Sequence, residues 1–289
     1  MKSLFVFNPG LKEKNRKKIL WAASQCFEEG SYDVCLGTIH DYSAADLAFY
    51  DHFIAVGGDG TVFATVNAMM KTAARKLTLI PAGSGNDFAR TLGLSDDALA
   101  ILKIARDGLP RPMDLARWNN WYFLNIASVG FDADVNANNS GRLKALGRIS
   151  YSLHVMKTFF TYRPRRIKKE GLHQTAWTLF TIGNGGYYGG GFPIFPKASP
   201  FSGELLFFGA GKSRLKYIVP FLLCLFLGKD EWWKKDMVRE KTKTMDFILL
   251  QEANVNLDGE NFRQKGPVHV EVLPEEILYC GPVYRSFAE

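Results

Sequence analysis

A glycine-rich turn between an apolar run and a helix is the feature that most constrains the fold of this chain. The run Phe53-Ile54-Ala55-Val56 predicts a buried strand, and Gly57-Gly58-Asp59-Gly60-Thr61 follows it directly. Because glycines lack a Cβ, another molecule can approach this backbone closely. Thr61 is predicted to cap the helix from Val62 to Met70, which would direct free N–H groups towards a phosphate. Asp59 would repel a bare phosphate, so the turn predicts a divalent cation or, alternatively, an ordinary tight turn.

A second turn of the same kind follows the next predicted strand. Leu77-Thr78-Leu79-Ile80 leads into Pro81-Ala82-Gly83-Ser84-Gly85-Asn86-Asp87, where Asn86 and Asp87 are predicted to cap a helix beginning at Phe88. Strand and helix patterns alternate over roughly the first hundred residues, which indicates a parallel sheet covered by helices. Both turns would lie at the carboxyl edge of that sheet, where ligands bind. Together they suggest a polyphosphate accompanied by a metal.

Composition indicates a globular protein with an anionic partner. The 289 residues are 47% hydrophobic and 22% charged, with a formal charge of +7, and two domains are the default expectation. Basic clusters at Lys12–Lys18 and 163–169 would suit nucleic acid or an acidic membrane surface, although a solvated face is the alternative. The four cysteines are scattered, which predicts buried, reduced thiols in a cytoplasmic protein without a signal peptide.

The character of the sequence changes near Pro110-Arg111-Pro112. Beyond it, β-rich segments predominate, with helical patches near 142–160 and 214–226, so we predict a second, mainly β domain. The apolar run Tyr217–Leu227 is shorter than the ~20 residues needed to cross a bilayer. A core helix and an interfacial segment both remain open for it. The predicted domains are residues 1–116, with 276–289 as a candidate addition, and residues 117–275.

The ordered motifs resemble those of the diacylglycerol kinase catalytic-domain family, which includes bacterial soluble lipid kinases and the sphingosine and ceramide kinases. The resemblance begins with Asn8-Pro9, GGDGT at 57–61 and PAGSGNDFAR at 81–90. It covers essentially the whole chain, through a set of later landmarks: Met113-Asp114-Leu115, residues 123–133, Gly189-Gly190-Gly191-Phe192 and Leu257-Asp258-Gly259-Glu260.

This resemblance implies a three-layer α/β domain like that of phosphofructokinases and NAD kinases, followed by a C-terminal β-sandwich. ATP would lie in the cleft between the two. The residues that the resemblance assigns to nucleotide binding are Asn8, Thr38, Gly57, Gly58, Asp59, Gly60, Thr61, Gly83, Ser84 and Asn86.

The resemblance also implies a catalytic set. Asp258 would accept the proton of the lipid hydroxyl, with Glu260 beside it, and Asp59 would hold a phosphate-bound Mg²⁺ through water. Asp87 and Asp114 would complete an acidic cluster around the metal. The alternatives are an Asp-Gly hairpin turn at Asp258, a helix cap at Asp87, an exposed strand position for Glu260, and a salt bridge from Asp114 to Arg111 or Arg117.

Two departures from the family pattern affect these expectations. Asn8-Pro9-Gly10 passes directly to Leu11, without the usual Ser-Gly pair, so the phosphate contacts of this loop are open. The loop at 198–205 carries Ser199 and Ser202 where bacterial lipid kinases place acidic ligands, and only Glu204 is acidic nearby. We therefore predict that the second, structural metal site is absent or degraded.

The resulting prediction is an ATP- and Mg²⁺-dependent kinase that phosphorylates a membrane lipid hydroxyl such as that of diacylglycerol. We expect a cytoplasmic protein in peripheral contact with an anionic membrane surface and no nucleic acid partner, with a homodimer as the candidate assembly. An NAD kinase-like enzyme is one alternative, because it shares the GGDGT turn. A nucleotide-binding regulator without turnover is the other.

Overall fold

The computed structural model describes most of the chain, namely residues 2–131, 133–134, 163–173, 175–211 and 237–284. The predicted helical patches at 142–160 and 214–226, the run Tyr217–Leu227 and Cys224 lie outside these residues. Within the described ranges, no helix is long and apolar enough to cross a membrane. Cys26, Cys35 and Cys280 are buried free thiols, and burial raises the pKa of each.

The described elements alternate between strand and helix at first and are then almost entirely strands. The helices are α1 (Glu13–Ser24), α2 (Ala44–Leu47), α3 (Asp59–Met69), α4 (Asp87–Leu92) and α5 (Ala98–Asp107), with a 3₁₀ turn at Ile39–Asp41. The first strands are β1 (Ser3–Phe7), β2 (Tyr32–Cys35), β3 (His52–Gly57), β4 (Lys76–Pro81), β5 (Arg111–Trp118), β6 (Trp121–Phe123) and β7 (Ile126–Gly130). The later strands are β8 (Arg165–Lys169), β9 (Ala176–Trp177), β10 (Leu179–Gly183), β11 (Leu205–Ala210), β12 (Met237–Thr242), β13 (Thr244–Leu257) and β14 (Glu260–Tyr279).

The first part of the chain forms a three-layer unit. Its strands are parallel in the order β2-β1-β3-β4, and β1 and β3 are buried at every position. Alternate side chains of β1 point to opposite faces: Phe5 packs in a core with α1 and α5, whereas Leu4 packs in a core with α3. Helices therefore cover both faces, which explains why these strands read as continuous apolar runs.

The second part is a β-sandwich-like unit built from antiparallel strands. The order β12-β11-β10-β7-β13-β14 forms one path, and β8 pairs with β13. Trp177, Phe180, Phe207 and Phe247 are buried together in its largest core, with ring centroids 4.7 to 6.2 Å apart. The predicted fold class, an α/β domain followed by a mainly β domain, is confirmed.

Strand β14 belongs to both parts of the molecule. Most of it pairs antiparallel with β13 and β5, but Leu278 and Tyr279 pair parallel with Lys76 and Leu77 of β4. One continuous sheet therefore runs through both units. The predicted boundaries at residues 116 and 275 stay a prediction, and the end of β14 is where the second unit joins the sheet of the first.

The predicted helix caps are wrong in detail. Helix α3 begins at Asp59 and Gly58 is its N-cap, so Thr61 lies inside the first turn. The carbonyl of Gly58, in extended backbone, accepts the N–H groups of Thr61 and Val62, which starts the helix earlier than the apolar pattern indicates. Similarly, α4 begins at Asp87, and Asn86 stands at the N-cap position without a capping side-chain bond.

Candidate active site

A large cleft lies at the carboxyl ends of β1, β3 and β4, where the two units meet. Its volume is about 1140 Å³. Its lining comes from both units, because the turns after β1 and β3 and the tip of the β13–β14 hairpin all contribute residues to it. The lining residues discussed below are Asn8, Thr38, His40, Gly58, Asp59, Gly60, Thr61, Gly83, Ser84, Asp87, Asn125, Tyr188, Gly190, Asn256, Asp258 and Glu260.

The two glycine turns touch each other through their backbones. A Cβ on Gly83 would overlap the Cα of Gly58, and a Cβ on Gly57 would overlap the side chain of Thr61. Gly83 therefore accepts only glycine unless the turns separate, and Gly57 accepts only glycine unless Thr61 moves. Because the first turn of α3 starts at Gly58, the contact places the second turn beside a helix N-terminus, where anions bind.

Asn86 holds the second turn in shape. Its backbone is left-handed, with φ 54°, a conformation that asparagine tolerates better than most residues. Its Oδ1 accepts the N–H of Gly83 at 3.0 Å, and its Nδ2 donates to the carbonyl of Gly83 at 2.9 Å. The side chain therefore bonds within its own turn, which explains why it does not cap α4.

Asp59 links the two turns. Its carboxylate accepts the backbone N–H groups of Asp87 at 3.1 Å and Phe88 at 3.0 Å. These are the first residues of α4, so Asp59 stabilises the positive end of that short helix from outside it. The carboxylate predicted to be a metal ligand is thereby fixed in orientation through both of its oxygens.

Asp87 is buried beside Asp59. Its side chain accepts the N–H of Gly190 at 2.8 Å, while its Oδ1 is buried without a hydrogen-bond partner among the described residues. Burial raises the pKa of Asp87, and the neighbouring charge of Asp59 raises that pKa further. An unsatisfied buried carboxylate oxygen next to a second carboxylate is the kind of donor set that Mg²⁺ binds.

Asp258 occupies the tip of the β13–β14 hairpin. Asp258 and Gly259 have φ values of 49° and 94°, as a two-residue type I′ turn requires. The carboxylate accepts three backbone N–H groups, from Leu124 at 2.7 Å, Asn125 at 3.0 Å and Ile126 at 2.9 Å. The residue is both a hairpin turn and a buried cleft group, so the two readings of this motif coexist.

The environment of Asp258 favours its protonated form. The side chain is only 5% exposed, and burial raises the pKa of its carboxyl group to about 7, with the charge of Asp59 adding to the rise. The three N–H donors oppose this by stabilising the carboxylate. The pKa therefore lies close to neutrality, where a carboxyl group can both hold and release a proton.

Two neighbours of Asp258 complete this wall of the cleft. Asn256 accepts the N–H of Gly259 through its Oδ1 at 3.1 Å, which supports the turn. The side chain of Glu260 contacts Gly60 of the other unit. Its Oε1 lies so close to Gly60 that it would overlap a Cβ at that position. Glu260 is therefore more than an exposed strand residue, since it contacts the first turn of α3.

Three further predicted site residues lie at the cleft with less defined contacts. Asn8 turns its Oδ1 to the N–H of Gly10 at 2.8 Å, which closes the loop after β1. Thr38 precedes the 3₁₀ turn, and the exposed Ser84 lies between Gly83 and Gly85. The structure brings all three to the cleft, and their assignment to the nucleotide remains a prediction.

Asp114 is not brought to this cleft. Its carboxylate accepts the N–H groups of Gly203 at 2.6 Å and Glu275 at 3.1 Å, and burial raises its pKa. The alternative salt bridges are also wrong: Arg117 pairs with Glu271, and the guanidinium of Arg111 lies over the ring of Phe201. Asp114 therefore holds the 198–205 loop rather than joining Asp59 and Asp87.

The serine-containing loop is bonded internally. Ser202 donates through its Oγ to the carbonyl of Ser199 at 2.9 Å, and Glu204 forms an exposed ion pair with Lys241 at 2.9 Å. Over the described ranges, no group of three or more His, Cys, Asp or Glu side chains is arranged to hold a metal ion. The absence of a second metal site stays a prediction.

The structure also identifies cleft residues that sequence reasoning missed. His40 and Tyr188 line the cleft, and the N–H of Gly190 is a hydrogen-bond donor to Asp87. The three glycines 189–191 all have positive φ, between 63° and 109°. A run of three glycines indicates that another group approaches the backbone closely. The sequence alone does not show that this group is Asp87.

Comparison with known proteins places both units in one family. A model described as the diacylglycerol kinase catalytic domain matches residues 2–118. A second, described as the YegS C-terminal NAD kinase beta sandwich-like domain, matches residues 125–279. The matched ranges together cover nearly all of the chain.

Individual relatives agree. A protein named "Diacylglycerol kinase" from Bacillus subtilis is 29% identical over 268 residues, with 88% of each chain covered. A protein named "Probable lipid kinase YegS-like" from Klebsiella pneumoniae is 31% identical, with 76% of this chain and 74% of that protein covered. A crystal structure of a diacylglycerol kinase from Bacillus anthracis is 26% identical, covers 97% of this chain and 96% of its own, and aligns with a TM-score of 0.72.

Proposed function

Because the chain belongs to the diacylglycerol kinase catalytic-domain family, we propose that it transfers the γ-phosphate of ATP to a hydroxyl group of a membrane lipid such as diacylglycerol. Kinases of this family use ATP. The relatives support a lipid kinase in general, and diacylglycerol is the acceptor that the names of several of them suggest.

The observation that carries the proposal is the position and chemistry of Asp258. Its carboxylate lies in the cleft wall opposite the N-terminus of α3, with a pKa raised to about 7. A general base works best when its pKa lies near the operating pH. Asp258 accepts the proton of the lipid hydroxyl while that oxygen bonds to the γ-phosphorus and the bond to the bridging oxygen of ADP breaks.

The opposite wall suits the phosphate groups. The contact between Gly58 and Gly83 brings two turns without side chains at these positions beside the first turn of α3, where helix N–H groups favour an anion. Asp59 and Asp87 would hold Mg²⁺, since Asp87 has a buried oxygen without a partner. When bound, the metal neutralises charge on the phosphates, which two carboxylates alone would repel.

We also propose that the protein reaches its lipid by peripheral contact with an anionic membrane surface. Exposed cations support this: Lys12, Lys14 and Lys18 lie on or just before α1, and Arg166 and Lys168 lie on β8. Each such residue near an anionic surface contributes about 1 kcal/mol, so binding would be reversible. Co-flotation with vesicles containing phosphatidylglycerol, compared with phosphatidylcholine vesicles, tests it, and equal binding to both would contradict it.

Phosphate transfer to extracted lipids tests the proposed function. ATP radiolabelled on its γ-phosphate is mixed with the protein and with lipid extract, and the labelled product is identified by mass. Asp258→Asn is expected to lower kcat by about 10²-fold or more, the lower limit of what a general base supplies. Asp246→Asn makes the same chemical change at an exposed position on β13 and should retain the wild-type rate.

The choice of acceptor separates the alternatives. Label transferred to NAD but to no lipid class would support an NAD kinase-like enzyme instead. Tight nucleotide binding without transfer to lipid, sphingoid or nucleotide acceptors would support a regulator. Transfer to lipid that survives unchanged in Asp258→Asn would contradict the role of Asp258 while retaining the lipid kinase.

A further inference from the structure

A buried asparagine joins the phosphate-facing helix to the strand that precedes Asp258's donors. Asn67 lies in the third turn of α3 and is 7% exposed. Its Oδ1 accepts the N–H of Tyr122 at 3.0 Å, and its Nδ2 donates to the carbonyls of Tyr122 and Phe63, each at 2.9 Å. The carboxamide thus pairs with both main-chain groups of one residue of β6, which fixes the helix against that strand.

A stack of three rings lies beside this junction. The ring of Trp121 stacks against those of Phe63 and Phe262, with ring centroids 5.9 and 6.0 Å apart and interplanar angles of 26° and 27°. One ring belongs to α3, one to β6 and one to β14. The helix with the phosphate-facing N-terminus and the strand that follows Asp258 are therefore packed against the same indole.

The chain that leaves β6 then binds the carboxylate. Tyr122 is two residues before Leu124 and four before Ile126, and the N–H groups of residues 124–126 all donate to Asp258. A displacement of β6 relative to α3 would carry these donors with it. The junction therefore links the phosphate end of the cleft to the orientation of the carboxylate through a few stiff contacts.

We infer that Asn67 and Trp121 are positioning residues, which hold the Asp258 carboxylate at a fixed place relative to the N-terminus of α3. This inference rests on the proposed function, in which phosphates bind at that helix and Asp258 takes the proton. Neither residue touches the reacting atoms. Their contribution is geometric, and a misplacement of about 1 Å can lower the rate of a reaction by about 10²-fold.

Steady-state kinetics on paired variants tests the inference. Asn67→Ala and Trp121→Ala are expected to lower kcat by about 10- to 100-fold while KM for ATP stays within about twofold, since alignment and not affinity is lost. Trp121→Phe retains a ring in the stack and should keep most of the wild-type kcat. Asn119→Gly is the matched control, because it removes one side-chain bond at the turn of the same β5–β6 hairpin and tolerates φ 50°.

The outcomes are distinct. Wild-type kcat in the folded alanine variants, or a raised KM with unchanged kcat, would overturn the inference, as would equal losses in Trp121→Phe and Trp121→Ala. If Asn67→Ala does not fold, the two Trp121 variants decide, because that side chain is 45% exposed and its truncation leaves the core intact. A wild-type protein that transfers no phosphate would contradict the proposed function itself.

Discussion

At the scale of single residues, the cleft combines groups whose ordinary preferences are opposed. Asp258 is an acid that is buried and yet receives three N–H donors, and burial outweighs the donors in setting its pKa. Asp87 is buried with one oxygen unpartnered among the described residues. Such energetically unfavourable arrangements are typical of functional sites, because the protein would fold equally well or better with a residue that suits a buried position.

The raised pKa of Asp258 predicts a pH-dependent stability. An unfolded aspartate has a pKa near 3.9, so between pH 5 and pH 7 the folded state keeps a proton that the unfolded state has lost. Stability therefore falls as pH rises through this window, by about 2 to 3 kcal/mol. Urea unfolding at pH 5, 6, 7 and 8 should show wild type losing this amount relative to Asp258→Asn. A difference between the two proteins that does not change with pH would contradict the prediction.

The contact between the two glycine turns predicts a severe effect of a single methyl group. In Gly83→Ala the new Cβ meets the Cα and the backbone nitrogen of Gly58, neither of which can rotate away as a side chain could. The turns must separate, which widens the end of the cleft where we propose that the phosphates bind. We expect loss of measurable ATP binding by calorimetry, together with a lower thermal midpoint. Wild-type affinity would show that the turns move apart without consequence.

At the scale of elements, the parallel strands could be predicted and the irregular positions could not. Runs such as Phe53–Val56 are apolar on both faces of the sheet. The predicted strand therefore agrees with β3 to within one residue at each end. The long β13 alternates between buried and exposed positions but carries a register shift between Leu249 and Ala253, so the sequence pattern does not mark it as one strand. Its full length depends on pairing with β14, the next strand of the same hairpin, and the local pattern does not mark the irregularity in that pairing.

The roles of side chains could likewise be predicted where local motifs define them, but not where they depend on distant partners. The glycine turns and Asp258 could be located because local motifs define them. The destination of Asp114 could not, because its partners Gly203 and Glu275 are 89 and 161 residues away. Likewise, the prediction that Thr61 caps α3 was wrong, because the carbonyl of Gly58 accepts the N–H groups of Thr61 and Val62 and the helix starts earlier.

Helix α5 offers a test of local capping energy. Asp97 is its N-cap, and its side chain accepts the N–H of Ala100 at 3.1 Å. Asp97→Ala should lower the free energy of unfolding by about 1 kcal/mol, because the N–H loses its acceptor. Asp96→Ala, one residue earlier and without a capping bond among the described contacts, is the control. Equal effects of the two substitutions in urea unfolding would exclude the cap as the cause.

At the scale of the whole molecule, β14 makes the two units mechanically one. It pairs with β13 and β5 in the second unit and, through Leu278 and Tyr279, with β4 in the first. Tyr279 is fully buried in the core of the first unit, and its hydroxyl donates to the carbonyl of Pro282 at 3.2 Å. A substitution in this part of β14 should therefore lower the stability of both units.

Hydrogen exchange can measure that coupling. Tyr279→Ala should lower stability by about 3 to 5 kcal/mol, as expected for truncation of a large buried ring. Exchange should increase in peptides covering both β3 and β10, although only β3 belongs to the unit that contains the ring. Tyr284→Ala, at an exposed position nearby, should leave both peptides protected. Faster exchange in β3 alone would mean that the units open independently.

The joint at β14 also has a consequence for biosynthesis. As the chain is made, β1 to β4 emerge early, but within the described residues the outer edge of β4 pairs only with a strand that begins at residue 260. An uncovered strand edge invites wrong pairing with other chains. The same late hairpin delivers Asp258, so the segment that completes the sheet is also the one that would complete the chemistry. The proposed base, Asp258, would therefore emerge only shortly before Leu278 and Tyr279, the residues that cover this edge.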